Sequence, residues 1–152
     1  MKKICIGADS AGFEMKEMLK EYLGRQGYEI TDFGTDSSAS CHYPLFAEAV
    51  AKAVAADPDS LGILICGTGI GMSMAAGKVR GIRAAVCGDT FSARMTRLHN
   101  DANILCLGAR VIGLGLARDI ADLFLTTGFE GGRHATRIAM ISELETCGKI
   151  SR

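Results

Sequence analysis

The sequence lacks a surplus of either charge, since 17 lysines and arginines face 17 aspartates and glutamates. Without a broad field of one sign nothing holds a polyanion or an acidic lipid surface, so nucleic-acid and membrane partners are excluded and any anion must be caught locally. Prolines number only two, and Pro58 sits in the acidic turn Asp57 to Asp59, where it marks no linker. There is no internal repeat and no low-complexity tract. No CxxC pair occurs among Cys5, Cys41, Cys66, Cys87, Cys106 and Cys147, which reads as reduced thiols in a cytosol, with neither a disulfide framework nor a zinc site. No apolar run approaches membrane-spanning length, and the apolar stretch within MKKICIGADS is too short for a signal peptide. The expectation is a soluble, cytoplasmic protein.

What is present is glycine, 19 in 152 residues, in a chain of one domain's length. Short apolar runs alternate with longer amphipathic segments, the pattern of βαβ units. Strands are predicted at Lys3–Ala8, Glu29–Asp32, Gly62–Cys66, Arg83–Cys87 and Ile104–Leu107. Helical spacing covers Phe13–Leu23, Phe46–Ala55, Gly71–Lys78, Thr90–Leu98 and Leu114–Leu125, with Ala135–Thr146 as a last helix. The predicted fold is α/β: a Rossmann-like three-layer sandwich over residues 1–152, one domain, with a five-stranded parallel sheet and a C-terminal helix.

Open parallel sheets bind ligands outside the carboxyl ends of their strands. Asp9 and Ser10 follow the first strand, and Cys66 ends the third, followed by Gly67, Thr68, Gly69 and Gly71 at a helix start. Such glycines serve a tight strand-to-helix turn and equally let backbone N–H groups face an anion. The spacing fits neither GxxxxGK[ST] nor GxGxxG, which disfavours dinucleotides. Cys66 is read two ways, as a small core residue or as a thiol whose pKa is lowered at a helix N-terminus. A base beside oxyanion donors suits proton abstraction alpha to a carbonyl.

Of the three histidines, His42 precedes Tyr43 and Pro44 in a predicted loop, while His99 and His134 lie in the polar clusters LHNDAN and EGGRHATR. His99 is the stronger candidate because Asn100 and Asp101 follow it. Arg133 and Arg137 share one helical face after Gly131 and Gly132. They form either a solvated face or a phosphate grip, with Arg110 as a third ligand.

Together these segments resemble the ribose-5-phosphate isomerase B family, which includes galactose-6-phosphate and allose-6-phosphate isomerases. The resemblance runs nearly end to end through IGADSAGFEMK, Tyr43-Pro44, ILICGTGIGMS, GIRAAVC, HNDANIL, GAR and EGGRHATR. It implies cofactor-independent aldose–ketose isomerisation of a phosphorylated sugar through an enediolate, without a metal. Cys66 would move the proton between C1 and C2, and Gly67 to Gly71 with Thr68 would hold the enediolate. His99 and Asp9 would open the furanose ring. Arg110, Arg133 and Arg137 would bind phosphate, and Tyr43 would touch the sugar. The resemblance also implies a homodimer or tetramer with each site completed across the dimer interface, His99, Asn100 and Arg110 acting on the partner's substrate.

The sequence departs from the family pattern at Ser10, where ribose 5-phosphate isomerases of this type usually carry histidine. Serine there is compatible with the loss of one tolerated hydrogen bond, leaving ribose 5-phosphate as substrate, and with a change to a tetrose or hexose phosphate. A reading from another class is a catalytically silent sugar-phosphate-binding module. The joint presence of Cys66, Thr68 and His99 argues against it.

Overall fold

A computed structural model describes residues 2–152. As predicted, five strands form one all-parallel sheet; their order is β2-β1-β3-β5-β4. They are β1 Lys3–Ala8, β2 Glu29–Asp32, β3 Ser60–Cys66, β4 Ala84–Val86 and β5 Ile104–Gly108. The helices are α1 Phe13–Arg25, α2 Tyr43–Ala56, α3 Ile70–Ala76, α4 Thr90–Asn100, α5 Leu114–Thr126 and α6 Arg133–Cys147.

Alternation along the central strands decides the layers. Ile4, Ile6 and Ala8 of β1, Ile63 and Ile65 of β3, and Leu105 and Leu107 of β5 pack with Met15, Leu19, Ala93, Ile120 and Phe124 from α1, α4 and α5. The intervening Cys5, Leu64, Cys66, Ile104 and Cys106 face Ala47, Val50, Met72 and Ala76 from α2 and α3. Both faces are covered, which is why β3 and β5 read as unbroken apolar runs and not as alternating ones. No helix of the described residues is long and apolar enough to cross a membrane.

Several boundaries differ from expectation, and three of them for clear physical reasons. The predicted loop at Tyr43 and Pro44 is the first turn of α2; proline fits there because an N–H at that position has no intrahelical acceptor to lose. The last helix starts at Arg133, two residues early, because Gly131 and Gly132 take positive φ values of 72° and 57° and turn the chain into it. The fourth strand shrinks to Ala84–Val86, since it is an edge strand paired only with β5.

Lys16 is a buried charge that apolar periodicity does not reveal. Its side chain is fully buried in α1, and its ammonium donates to Asp32 at 2.6 Å and Glu17 at 2.8 Å. Asp32 also receives Lys20; burial is the largest single influence on its carboxyl and pushes it up, but Lys16, Lys20 and the Gly34 N–H together hold it below the usual range. Removing either side of such a pair would strand a charge, so the network ties α1 to the end of β2.

Candidate active site

Cys66 is the last residue of β3, in register with Gly108, the last of β5. It lies on the same sheet face as Leu64, so its side chain points toward α2 and α3. Its Sγ is buried and accepts the backbone N–H of Gly69 at 3.1 Å. Gly69 achieves this with a φ of 79°, a conformation that side chains rarely adopt. No hydrogen bond among the described residues engages the amides of Gly67 and Thr68. Thr68 is exposed, and its hydroxyl oxygen accepts the N–H of Ile70 at 3.3 Å. A thiol facing one amide with two more amides free beside it is the arrangement needed to hold negative charge on sulfur and on an adjacent oxygen.

The loop is locked by close approaches. A Cβ on Gly71 would stand 2.6 Å from the Tyr43 ring, so glycine is what lets α2 lay that ring across the start of α3. A Cβ on Gly108 would lie 2.8 Å from the Thr68 carbonyl, which brings the β5 end against the same loop. Arg110 donates its backbone N–H to Gly67 O at 3.0 Å, and its Nη1 would be 3.5 Å from a Cβ on Gly67. Arg110, expected to act across an interface together with His99, thus stands over the glycine loop of its own chain. Asp9 donates its backbone N–H to Ile65 O at 3.1 Å, while its Oδ1 accepts the N–H of Gly12 at 3.1 Å, fixing the entry to α1. Ser10 follows it, half-buried.

The other buried cysteines are unsuited to this role. Burial pushes the Cys87 thiol up to about 11 and raises those of Cys5 and Cys106 above their ordinary value.

His99 and Asn100 occupy the last turn of α4, a helix that runs back from the end of β4 to the start of β5. The carbonyl of Asn100 accepts from Arg83 Nε at 3.0 Å, and the N–H of Asn103 donates to Arg83 O at 3.0 Å, just before β4 and β5 begin. His99 is therefore at the opposite end of the sheet from Cys66. A five-residue strand separates the two levels, on the order of 13 Å at the usual rise. Within one chain the two groups do not meet.

Around His99 a second cluster forms. Its ring stacks on that of His134 at 4.2 Å between centroids and 10° between planes. The Nε2 atoms of both stand 3.7 Å from Glu130 Oε2, and the N–H of Glu130 donates to Leu98 O at 3.1 Å. His134 is 6% exposed and its Nε2 is buried without a partner. Desolvation, then the neighbouring His99 and Arg133, hold His134 below the ordinary histidine value. Arg133 and Arg137 are exposed in the first turns of α6. The sequence reading had no role for His134 and missed Glu130, whose spacing of four residues from His134 was the available signal.

Cavities of about 480 Å³ and about 590 Å³ lie elsewhere, lined by none of the predicted site residues. The predicted residues thus fall into two separate groups: Asp9, Ser10, Tyr43, the Cys66 loop and Arg110 in one; His99, Asn100, Arg133 and Arg137 in the other.

Known proteins resemble the chain along nearly all of it. A family model described as Ribose/Galactose Isomerase matches residues 4–141. The ribose-5-phosphate isomerase B of Escherichia coli is 48% identical over 145 residues, covering 95% of this chain and 97% of that one. The D-erythrulose-4-phosphate isomerase of Pectobacterium atrosepticum is 44% identical over 146 residues, covering 95% and 96%. Among solved structures, ribose-5-phosphate isomerase B from Mycoplasma genitalium with bound ribulose 5-phosphate superposes with a TM-score of 0.91 at 41% identity, covering 94% and 95%. With a buried thiol facing backbone amides at the head of the sheet, and this likeness in sequence and fold, the chain belongs to the ribose/galactose isomerase family and is a sugar-phosphate isomerase.

Proposed function

We propose that the chain, working as one domain over residues 1–152 in the cytoplasm, interconverts ribose 5-phosphate and ribulose 5-phosphate without a cofactor, as a homodimer or a tetramer built from such dimers. The observation that carries this reading is the 3.1 Å contact from the Gly69 N–H to Cys66 Sγ, with the amides of Gly67 and Thr68 unengaged beside it. A thiolate at Cys66 removes the proton from C2 of the open-chain aldose and returns it to C1. Charge that builds on the carbonyl oxygen is met by the loop amides and the Thr68 hydroxyl.

The division into two half-sites supports the dimer. One chain supplies Cys66, its loop, Asp9, Ser10, Tyr43 and Arg110; the second supplies His99 and Asn100 for ring opening and Arg133 and Arg137 for the phosphate. Exposed apolar side chains ring both halves: Ile70 and Met74 on α3, Phe91 and Val111 near the strand ends, and Met140, Ile141 and Leu144 on α6. Faces of this kind are what a second copy would cover.

The direct test is proton exchange at C2 of ribose 5-phosphate in deuterated water, followed by NMR. The reading predicts exchange by the wild type and none by Cys66→Ala. Absence of exchange by the wild type, with rapid exchange of another sugar phosphate, would overturn the substrate. Ser10 favours one such second reading, a tetrose phosphate like that named for the Pectobacterium relative. On that reading Ser10→His shifts the kcat/KM ratio toward ribose 5-phosphate; an unchanged ratio removes it.

A further inference from the structure

The corner formed by the end of α4 and the start of α6 holds two groups beside His99, Glu130 and His134, to which the proposed isomerisation gives no role. We propose that His99, Glu130 and His134 form a binding site for one zinc-class divalent ion, and that occupancy inhibits the enzyme by taking His99 out of service. Donor atoms from the three side chains all lie within 4.8 Å of one another. Both histidine Nε2 atoms stand 3.7 Å from the same Glu130 oxygen, too far for a hydrogen bond. Tetrahedral zinc with bonds of about 2.0–2.1 Å spaces its donors by roughly 3.3–3.5 Å, so the two 3.7 Å histidine–glutamate separations need only a small contraction, and the wider spacing within the 4.8 Å cluster is closed by a turn of one ring.

The second observation is the buried Nε2 of His134, which has no partner although its side chain is only 8% exposed. A buried ring nitrogen without a partner is a loss that a metal ion would make good. Two imidazoles and one carboxylate are also the ligand types that suit zinc better than magnesium or calcium, which prefer sets of oxygens.

The stack itself dictates what binding does. An ion in the plane of the buried His134 ring is out of the plane of a parallel ring at 4.2 Å. His99, whose side chain is 39% exposed, must turn to present its nitrogen, while His134 stays fixed by burial. Zinc thus dismantles the stack and ties up the His99 ring on which the proposed ring opening depends. The inhibition, though not the binding, rests on the function proposed above.

The test is calorimetric titration of the metal-free protein with Zn²⁺, in a Cys41→Ser, Cys147→Ser background because those are the thiols outside the core. The expected result is one ion per chain, with affinity falling at least tenfold in Glu130→Gln and in His134→Phe, the latter keeping an aromatic ring in the stack. Mg²⁺ gives no heat of binding. Turnover of ribose 5-phosphate falls over the same Zn²⁺ range in the parent and not in Glu130→Gln. Unchanged affinity in both variants, or no binding by the parent, overturns the site. Binding that follows the three ligands but leaves turnover untouched overturns the inhibition. If no sugar phosphate is turned over at all, the function has failed and the calorimetry still decides the site.

Discussion

On the proposed reading, the head of β3 and the α4–α6 corner are the two halves of one shared site, built in contrasting ways. At Cys66 the backbone does the work: Gly69 at positive φ aims an amide at sulfur, and Gly71 and Gly108 let a ring and a strand end close on the loop. At His99 the side chains do it, through a stacked imidazole, an exposed glutamate and two exposed arginines, with a buried nitrogen left unpaired. The first half is finished within one chain and the second is open. Preorganised amides stabilise developing charge because they need not reorient during the reaction, which is the requirement of proton transfer. On the same reading, opening a ring and gripping a phosphate fall to less buried side chains, His99 and the exposed Arg133 and Arg137, that a second copy would bring.

The contrast sets the size of each expected loss. Cys66→Ala should reduce kcat on the order of 10² or more while circular dichroism and phosphate binding stay near wild type, because a small buried side chain is replaced by a smaller one. Activity within about tenfold of wild type would remove Cys66 as the base. Iodoacetamide consumption, slowed by substrate, gives an independent reading of the same thiol.

His99→Asn should come next, and selectively. A furanose-forming substrate such as ribose 5-phosphate should suffer strongly, while a tetrose 4-phosphate, which has no hydroxyl free to close a furanose, should bypass the defect if it is accepted. Equal losses on both would move His99 from ring opening to proton transfer or to holding the dimer.

Gly71→Ala is a smaller perturbation of the finished half. Its Cβ would meet the Tyr43 ring at 2.6 Å, so the ring must swing away and the loop shift. A decrease in kcat/KM on the order of tenfold, without loss of fold, is expected for a displacement of this size. Gly71→Ala combined with Tyr43→Ala should recover part of the loss; no recovery would mean that the loop, not the ring, is what the glycine protects.

The least effect concerns pH and the open half. Folding lowers the His134 pKa, so the unfolded chain binds its proton more readily. The stability involved is therefore fully present above the unfolded histidine value near 6.5 and declines as pH falls through it toward the lowered folded value. Denaturant midpoints measured across that window should slope upward with pH, and the slope should flatten in His134→Phe.

The sequence made one half of the site far more legible than the other. Cys66, Thr68 and the glycines are contiguous and follow an apolar run, so their place at the end of a parallel strand could be read from period and order alone. Five of five strands were legible for the same reason, because fully buried strands advertise themselves as apolar runs. The Lys16–Asp32 pair was invisible, as was the packing of the Tyr43 ring on Gly71, because each depends on two segments distant in sequence meeting in space. The stack of His99 on His134 and the placement of Arg110 beside Gly67 are likewise tertiary facts, with no periodicity to announce them. Tyr43 and Pro44 were misread as loop because proline usually signals a break, whereas at a first turn it signals a start.

The central claim is that a working site takes Cys66 from one chain and His99 from another, and subunit complementation tests it most directly. The Cys66→Ala and His99→Asn proteins are each unfolded, mixed in equal amounts, refolded together and assayed with ribose 5-phosphate. In a heterodimer one site then combines wild-type Cys66 with wild-type His99, and the other carries both substitutions. Random pairing makes half of the dimers mixed, so the account predicts recovery to about a quarter of wild-type activity. Activity no higher than the average of the two separately refolded variants, with heterodimers verified by mass spectrometry, would contradict it and place both residues in the service of one chain.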